Sequence, residues 1–198
     1  MPTRAILALL PATLLGTAAA AQEIRDLDAH EHGTGQLDIA VDEGRLAMTL
    51  EAPGFDVVGF EHEAESDEDR AAVADALALL EDPAALFALP EGAGCTPVSA
   101  EASLVEEEEG HEEEEHHHEG EHDHDGEEAH AEHEQGAHHT EFRVEHRFDC
   151  DDASALATIG LPYFAAFPNA EELEVRIVTD AGATALEATR DAPEISLD

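Results

Sequence analysis

Lysine and tryptophan are absent from this chain of 198 residues, and tyrosine occurs once. All eight cationic side chains are Arg, set against 49 Asp and Glu, for a formal net charge of -41. That scarcity excludes functions that need positive charge. Nucleic acid is held by basic patches that displace counterions from phosphate, and none exists here. Adhesion to anionic lipid is excluded for the same reason. So anionic a chain attracts cations instead. Cysteine is scarce too: Cys95 and Cys150 stand alone, without the close spacing of a zinc knuckle. Long apolar runs are missing beyond the first 21 residues, so no later segment is long enough to span a membrane.

What is present begins with a leader. Arg4 supplies a positive start, Ala5 to Leu15 an apolar stretch broken by Pro11, and Ala19-Ala20-Ala21 a small-residue cleavage site. Residues 1–21 read as a secretory signal peptide, leaving a mature chain of 177 residues, 22–198, as a single domain. The apolar stretch is too short to cross about 30 Å of hydrocarbon as a helix. The expected product is exported and free of membrane insertion. In an oxidising compartment Cys95 and Cys150 would close a disulfide around about 56 residues, worth roughly 4 kcal/mol by chain entropy. Two thiolate metal ligands are the alternative.

Hydropathy patterning outlines the folded part. Leu37, Ile39 and Val41 alternate with polar residues, as do Leu46, Met48 and Leu50 after Asp42-Glu43-Gly44, which predicts a β-hairpin. Ser66 and Asp69 form a capping signal ahead of an Ala-rich helix carrying Val73, Leu77 and Leu80 to Asp82-Pro83. Thr96 to Val105 predicts a strand. Phe142, Val144, His146, Phe148 and Cys150 alternate with charged residues and predict another. Asp152 would cap a short helix ending near Gly160, and Pro162 would restart one. Leu173 to Ile177 and Ala183 to Thr189 complete a second hairpin around Asp180-Ala181-Gly182. The fold class expected is α+β: an antiparallel sheet with two or three short helices packed on it.

One stretch does not fit that pattern. Residues 106–139 hold 16 Asp and Glu, ten His, four Gly, three Ala and one Gln. Nothing in such a segment buries enough apolar surface to offset ordering entropy, so it is expected to be a disordered loop. Because Cys95 and Cys150 flank it, a bridge between them would staple its base.

The donors in this tract are His111, His116, His117, His118, His122, His124, His130, His133, His138 and His139. Imidazole mixed with carboxylate suits Zn2+, Ni2+, Co2+ or Cu2+, whereas Ca2+ and Mg2+ sites take oxygen and do not explain ten histidines. Irregular spacing offers many overlapping donor sets rather than one rigid tetrahedron. Such a tract has high capacity, modest affinity and fast exchange. The bland reading is an acidic solubilising segment; ten histidines in 34 residues argue against it. His118-Glu119-Gly120-Glu121-His122 matches the H-E-x-x-H pattern of zinc proteases, but Gly120 interrupts it and no helical core face supports it.

Three histidines outside the tract are candidates for an ordered site. His30 and His32 lie on the same side of an extended chain, with Glu31 between them. Glu61 and His62 follow a Pro/Gly-rich turn. Together they could complete a site of three imidazoles and a carboxylate; equally, they could be solvated ends of strands and loops. His146 sits on the apolar face of its strand and reads as a core imidazole rather than a ligand.

Taken in order, several blocks resemble one family. They are His30-Glu31-His32-Gly33, the strand from Leu37 to Asp42, Glu51-Ala52-Pro53-Gly54, Val58-Gly59-Phe60-Glu61-His62, Leu86-Phe87, Cys95, the His/acid tract, Phe148-x-Cys150 and Phe164-x-x-Phe167-Pro168. They resemble the ZrgA-like family of zinc-regulated periplasmic proteins of Gram-negative bacteria. The resemblance implies a periplasmic protein that binds Zn2+ and assists its acquisition beside an ABC-type zinc importer, with no enzyme activity. By position it brings forward His30, His32 and His62 with Glu31 or Glu61. Two other readings stand beside it: sequestration of nickel, cobalt or copper for detoxification, and an acidic interaction module with incidental histidines.

Overall fold

The structure is a computed structural model that describes residues 31–107 and 139–197. Residues 1–30, which include the expected leader and His30, residues 108–138 of the tract, and residue 198 lie outside the described residues. The first hairpin is present as expected: β1 (Thr34–Asp42) pairs antiparallel with β2 (Arg45–Pro53), with Ile39 opposite Met48. Glu43 and Gly44 both take positive φ, 47° and 83°. That is the two-residue turn whose twist matches a hairpin.

Helix α1 (Gly54–Val58) follows at once, then α2 (Asp67–Leu80) and α3 (Pro83–Leu86). The start of α2 is a complete capping box: Ser66 Oγ accepts the Asp69 N–H and the Asp69 carboxylate accepts the Ser66 N–H. These bonds satisfy two backbone donors that the helix itself cannot. Strand β3 (Cys95–Glu107) then pairs antiparallel with β4 (His139–Cys150). The ordered strands therefore reach further than the composition suggested, because Glu106, Glu107 and His139 belong to them rather than to a loop.

After β4 a single 3-10 turn, Ala153–Ala155, starts on the Asp152 side chain, but the expected helix to Gly160 does not form. Instead β5 (Thr158–Gly160) pairs with β8 (Glu194–Ser196), and Gly160 bridges to Ala88. Ile159, fully buried, finds its partner in Ile195. Leu161 precedes Pro162, where helix is sterically disfavoured. Pro162 then caps α4 (Tyr163–Ala166). The last hairpin is β6 (Glu172–Thr179) with β7 (Gly182–Thr189).

The six long strands form one sheet in the order β3-β4-β2-β1-β6-β7. All pairs are antiparallel except β1 with β6, which run parallel, so the sheet is mixed and not purely antiparallel. Among the described residues there are four helices, more than the two or three expected; α1 packs on β2 and β4, α2 on β3, and α3 against α2 and α4. The core is built from the buried alternation of Leu37, Ile39, Leu46, Met48, Leu50, Phe142, Val144, Phe148, Leu173 and Val175, closed by Leu80, Leu86, Tyr163, Phe164 and Phe167. His146 lies within it, 1 % exposed, as its place on an apolar face required.

Cys95 and Cys150 form the expected disulfide. Its place differs from expectation. In the β3–β4 register Cys95 faces Cys150 at one end, whereas Glu107 faces His139 at the other. At about 3.4 Å per residue, the ladder puts the bridge some 40 Å from the point where the tract departs. The β ladder itself holds the base of the tract. Among the described residues, no helix is long and apolar enough to cross a membrane.

Candidate metal centre

Three chain segments meet at one end of the sheet: the turn before β1, the segment after α1, and the start of β4. In register, Pro53 of β2 faces Glu141, so His139 and Thr140 extend past the end of β2 and lie beside α1. Close contact there depends on Gly54. A Cβ at this position would collide with Thr140 Oγ1 and stand 2.8 Å from the Phe60 carbonyl oxygen. Without a side chain at 54, α1 packs flat on β4 and its exit, Phe60-Glu61, is delivered next to His139.

The turn before β1 is a four-residue turn, with the Thr34 N–H donating to the Glu31 carbonyl at 3.0 Å. Gly33 occupies its third position at φ 90°, where an L side chain would be strained. His32 therefore sits at the second position, projecting beside α1, and its ring stacks on Phe55 at 4.8 Å.

Glu61 lies between two imidazoles. Its Oε2 is 2.9 Å from His139 Nδ1, in hydrogen-bond geometry. Its Oε1 is 3.0 Å from His32 Nε2, yet this buried oxygen has no well-aligned hydrogen bond. The Glu61 side chain is 13 % exposed, against 55 % for His32 and 36 % for His139. Burial alone would push the Glu61 carboxyl up; the contacts with His32 and His139, and their charge, outweigh it and hold the carboxyl below the usual range. Asp56, buried in α1, behaves oppositely. Burial pushes it up to about 6, although the Gly33 N–H bond and His32 pull it down; Glu61 and Glu171 add to the rise.

The sequence candidates are thus distributed unevenly. His32 and Glu61 are brought together. The Glu31 side chain is exposed on the turn. His62 faces elsewhere: its ring stacks on Phe60 at 4.6 Å and its Nδ1–H donates to the Glu63 carbonyl at 2.9 Å. His30 and the tract histidines from His111 to His138 lie outside the described residues. His139, counted with the tract, is the residue whose ordered role sequence reasoning missed. The β alternation of Phe142 and Val144 extends back through buried Thr140, and that was the available signal. Among the described residues no three His, Cys, Asp or Glu side chains converge as a ready-made metal cage. The donors meet pairwise at Glu61. A shallow apolar groove of about 460 Å3, lined by Ala88, Leu161, Pro162, Phe164, Arg190 and Pro193, offers no such donors.

Imidazole nitrogen and carboxylate oxygen side by side are the donor chemistry of a protein that handles borderline divalent cations. The chain belongs to the ZrgA family of zinc uptake proteins, whose family model matches residues 29–197. That membership gives it a role in zinc acquisition. Comparison with curated protein sequences finds no match.

Proposed function

We propose that this protein is exported to the periplasm, gathers Zn2+ on its His/acid tract, holds it at an ordered site centred on Glu61, and passes it to a component of a zinc importer. The observation that carries this reading is the single carboxylate flanked by His32 and His139. With metal–ligand bonds of about 2.0–2.2 Å, two donors of one tetrahedral zinc stand about 3.3–3.6 Å apart. The His32 Nε2 to Glu61 Oε1 distance of 3.0 Å is a little shorter than that, so a small outward movement of the exposed His32 ring would open the spacing for a shared ion. His139 is both the last residue of the tract and a neighbour of Glu61, so donors gathered along the tract lead to the site without a break in the chain. In sequence, His138 directly precedes His139 and His30 stands two positions before His32, so both are candidates for further donors.

The role is binding and transfer, without catalysis. Ni2+, Co2+ and Cu2+ fit the same donors, and Cu2+ exceeds Zn2+ in raw affinity; family membership favours zinc. Protons compete with the ion for imidazole, so affinity falls as the solution is acidified.

Zinc titration against a competing chelator tests the reading. Glu61→Gln and the double change His32→Ala, His139→Ala should each remove the tightest binding event while leaving most of the stoichiometry. A variant lacking residues 109–137 should do the reverse. If Glu61→Gln binds its first zinc as tightly as the wild type, the ordered site is elsewhere. If the deletion leaves stoichiometry unchanged, the tract takes no part.

A further inference from the structure

We propose that Asp56 is the positioning residue of the Glu61 site: one carboxylate oxygen holds the turn that carries His32, and the other is the acceptor for that ring's second nitrogen when the first takes the ion. The inference rests on the reading that His32 and Glu61 share a cation.

Asp56 is 1 % exposed in the middle of a five-residue helix, an unusual place for a carboxylate without a task. Its Oδ1 accepts the Gly33 N–H at 2.7 Å across 23 residues of chain. Gly33 directly follows His32, and Glu31 is bonded to Thr34, so the backbone on both sides of His32 is tied down. Phe55, the neighbour of Asp56, forms the flat surface on which the His32 ring lies, with planes 17° apart. Two successive residues of α1 therefore fix both the backbone and the ring of one imidazole.

The second oxygen completes the argument. Asp56 Oδ2 is buried and has no hydrogen-bond partner. Buried polar atoms left so are rare and mark a partner that arrives later or a functional constraint. His32 presents Nε2 to Glu61. An imidazole that gives Nε2 to a metal carries its proton on Nδ1, and that N–H is characteristically received by a carboxylate. Asp56 is the buried carboxylate next to the His32 turn with an oxygen to spare; Glu171, the other carboxylate packed near Gly33, is exposed.

The test is a double-mutant cycle on the full chain, reading the affinity of the tightest Zn2+ event at fixed pH and ionic strength. Loss of such an outer partner lowers metal affinity about 10–100-fold, which is the expectation for Asp56→Ala. Asp56→Asn keeps an acceptor for Gly33 and should lose less. In a His32→Ala background Asp56→Ala should cost nothing further, because its action runs through that ring. Losses that multiply in the double variant, or an unchanged affinity in Asp56→Ala, overturn the proposal. Thermal unfolding checks that each variant is folded. Should Asp56→Ala fail to fold, 15N NMR of the zinc-loaded wild type decides instead: Nε2 metal-bound with Nδ1 protonated supports the proposal, and Nδ1 metal-bound overturns it. If His32→Ala alone leaves the tightest event intact, the Glu61 site itself is wrong; if it weakens that event and Asp56 does not couple, only this inference falls.

Discussion

Strand β4 carries His139 at its first residue and His146 seven residues on, and the two rings live in different worlds. His139 is 36 % exposed and turns Nδ1 to a carboxylate on another loop. His146 is buried, donates Nε2–H to the Leu80 carbonyl at 2.9 Å, and packs edge-on against Phe87 and Phe148. Burial lowers its affinity for protons, opposed by the Leu80 bond and Asp82. Beyond it the strand ends at the disulfide. One ladder thus has a closed end, where a covalent bond and a core imidazole secure the sheet, and an open end, where imidazole and carboxylate remain within reach of solvent ions. The same side chain serves packing or exchange according to what covers it.

The sharpest way to break this contrast is to open the closed end. Replacing Cys95 and Cys150 with Ser should cost about 2–5 kcal/mol in denaturant unfolding, since the bridge closes a long loop. The tightest zinc affinity of the folded protein should stay within about twofold, because sites so far apart with no shared partners behave additively. A folded double-Ser variant that has lost its tightest zinc event would mean the two ends are one cooperative unit.

Much of this division could be read from residues in order. The first hairpin, the Ser66 cap, the β4 alternation and the disulfide all follow from local pattern, because each depends on neighbours a few positions away or on the pairing of two lone cysteines. What escaped is what depends on distant pairing. The parallel match of Asp38 with Arg176 and the pairing of Ile159 with Ile195 have no local signature. The position of the disulfide was misjudged because flanking a segment in sequence is not closing it in space. His139 was hidden by composition: it resembles its tract neighbours in type, and only strand register separates it from them. Glu61 was visible as a candidate, but Asp56 was not, since nothing in a short Gly-Phe-Asp-Val-Val helix announces that its Asp is buried.

Acid and base titration should sharpen the contrast in opposite directions. Asp56 is raised from 3.8 to about 6 in the folded protein, so its folded form holds the proton more tightly than the unfolded chain does. The stability it contributes is present below pH 3.8 and is lost as pH rises through about 6. In metal-free protein Asp56→Asn should therefore gain up to about 2–3 kcal/mol on the wild type between pH 4 and pH 7.5. His146 runs the other way. Its folded pKa lies below 6.5, so its contribution is present above 6.5 and lost as pH falls. His146→Leu should cost about 1–3 kcal/mol at pH 7.5 through the unpaired Leu80 carbonyl, and should flatten the loss of stability below pH 6.5. Melting temperature against pH for the three proteins measures both. An Asp56→Asn curve parallel to the wild type from pH 4 to 7.5 would show that Asp56 is not held protonated by its burial.

The smallest effect is expected on the open face of the sheet. Arg176 faces Asp38 across the parallel β1–β6 pair and donates to it twice, Nε to Oδ1 at 2.6 Å and Nη2 to Oδ2 at 2.8 Å. The geometry is bidentate, which favours a pair that contributes something. Its side chains are 56 % and 45 % exposed, however, so water and salt screen the attraction. Glu51 and Glu174 also act electrostatically on Arg176. Arg176→Gln should then cost no more than about 1 kcal/mol at low ionic strength and nearly nothing in 1 M salt, with zinc affinity unaffected. A loss above about 2 kcal/mol that salt does not erase would show instead that this pair sets the register of the only parallel ladder among the described strands.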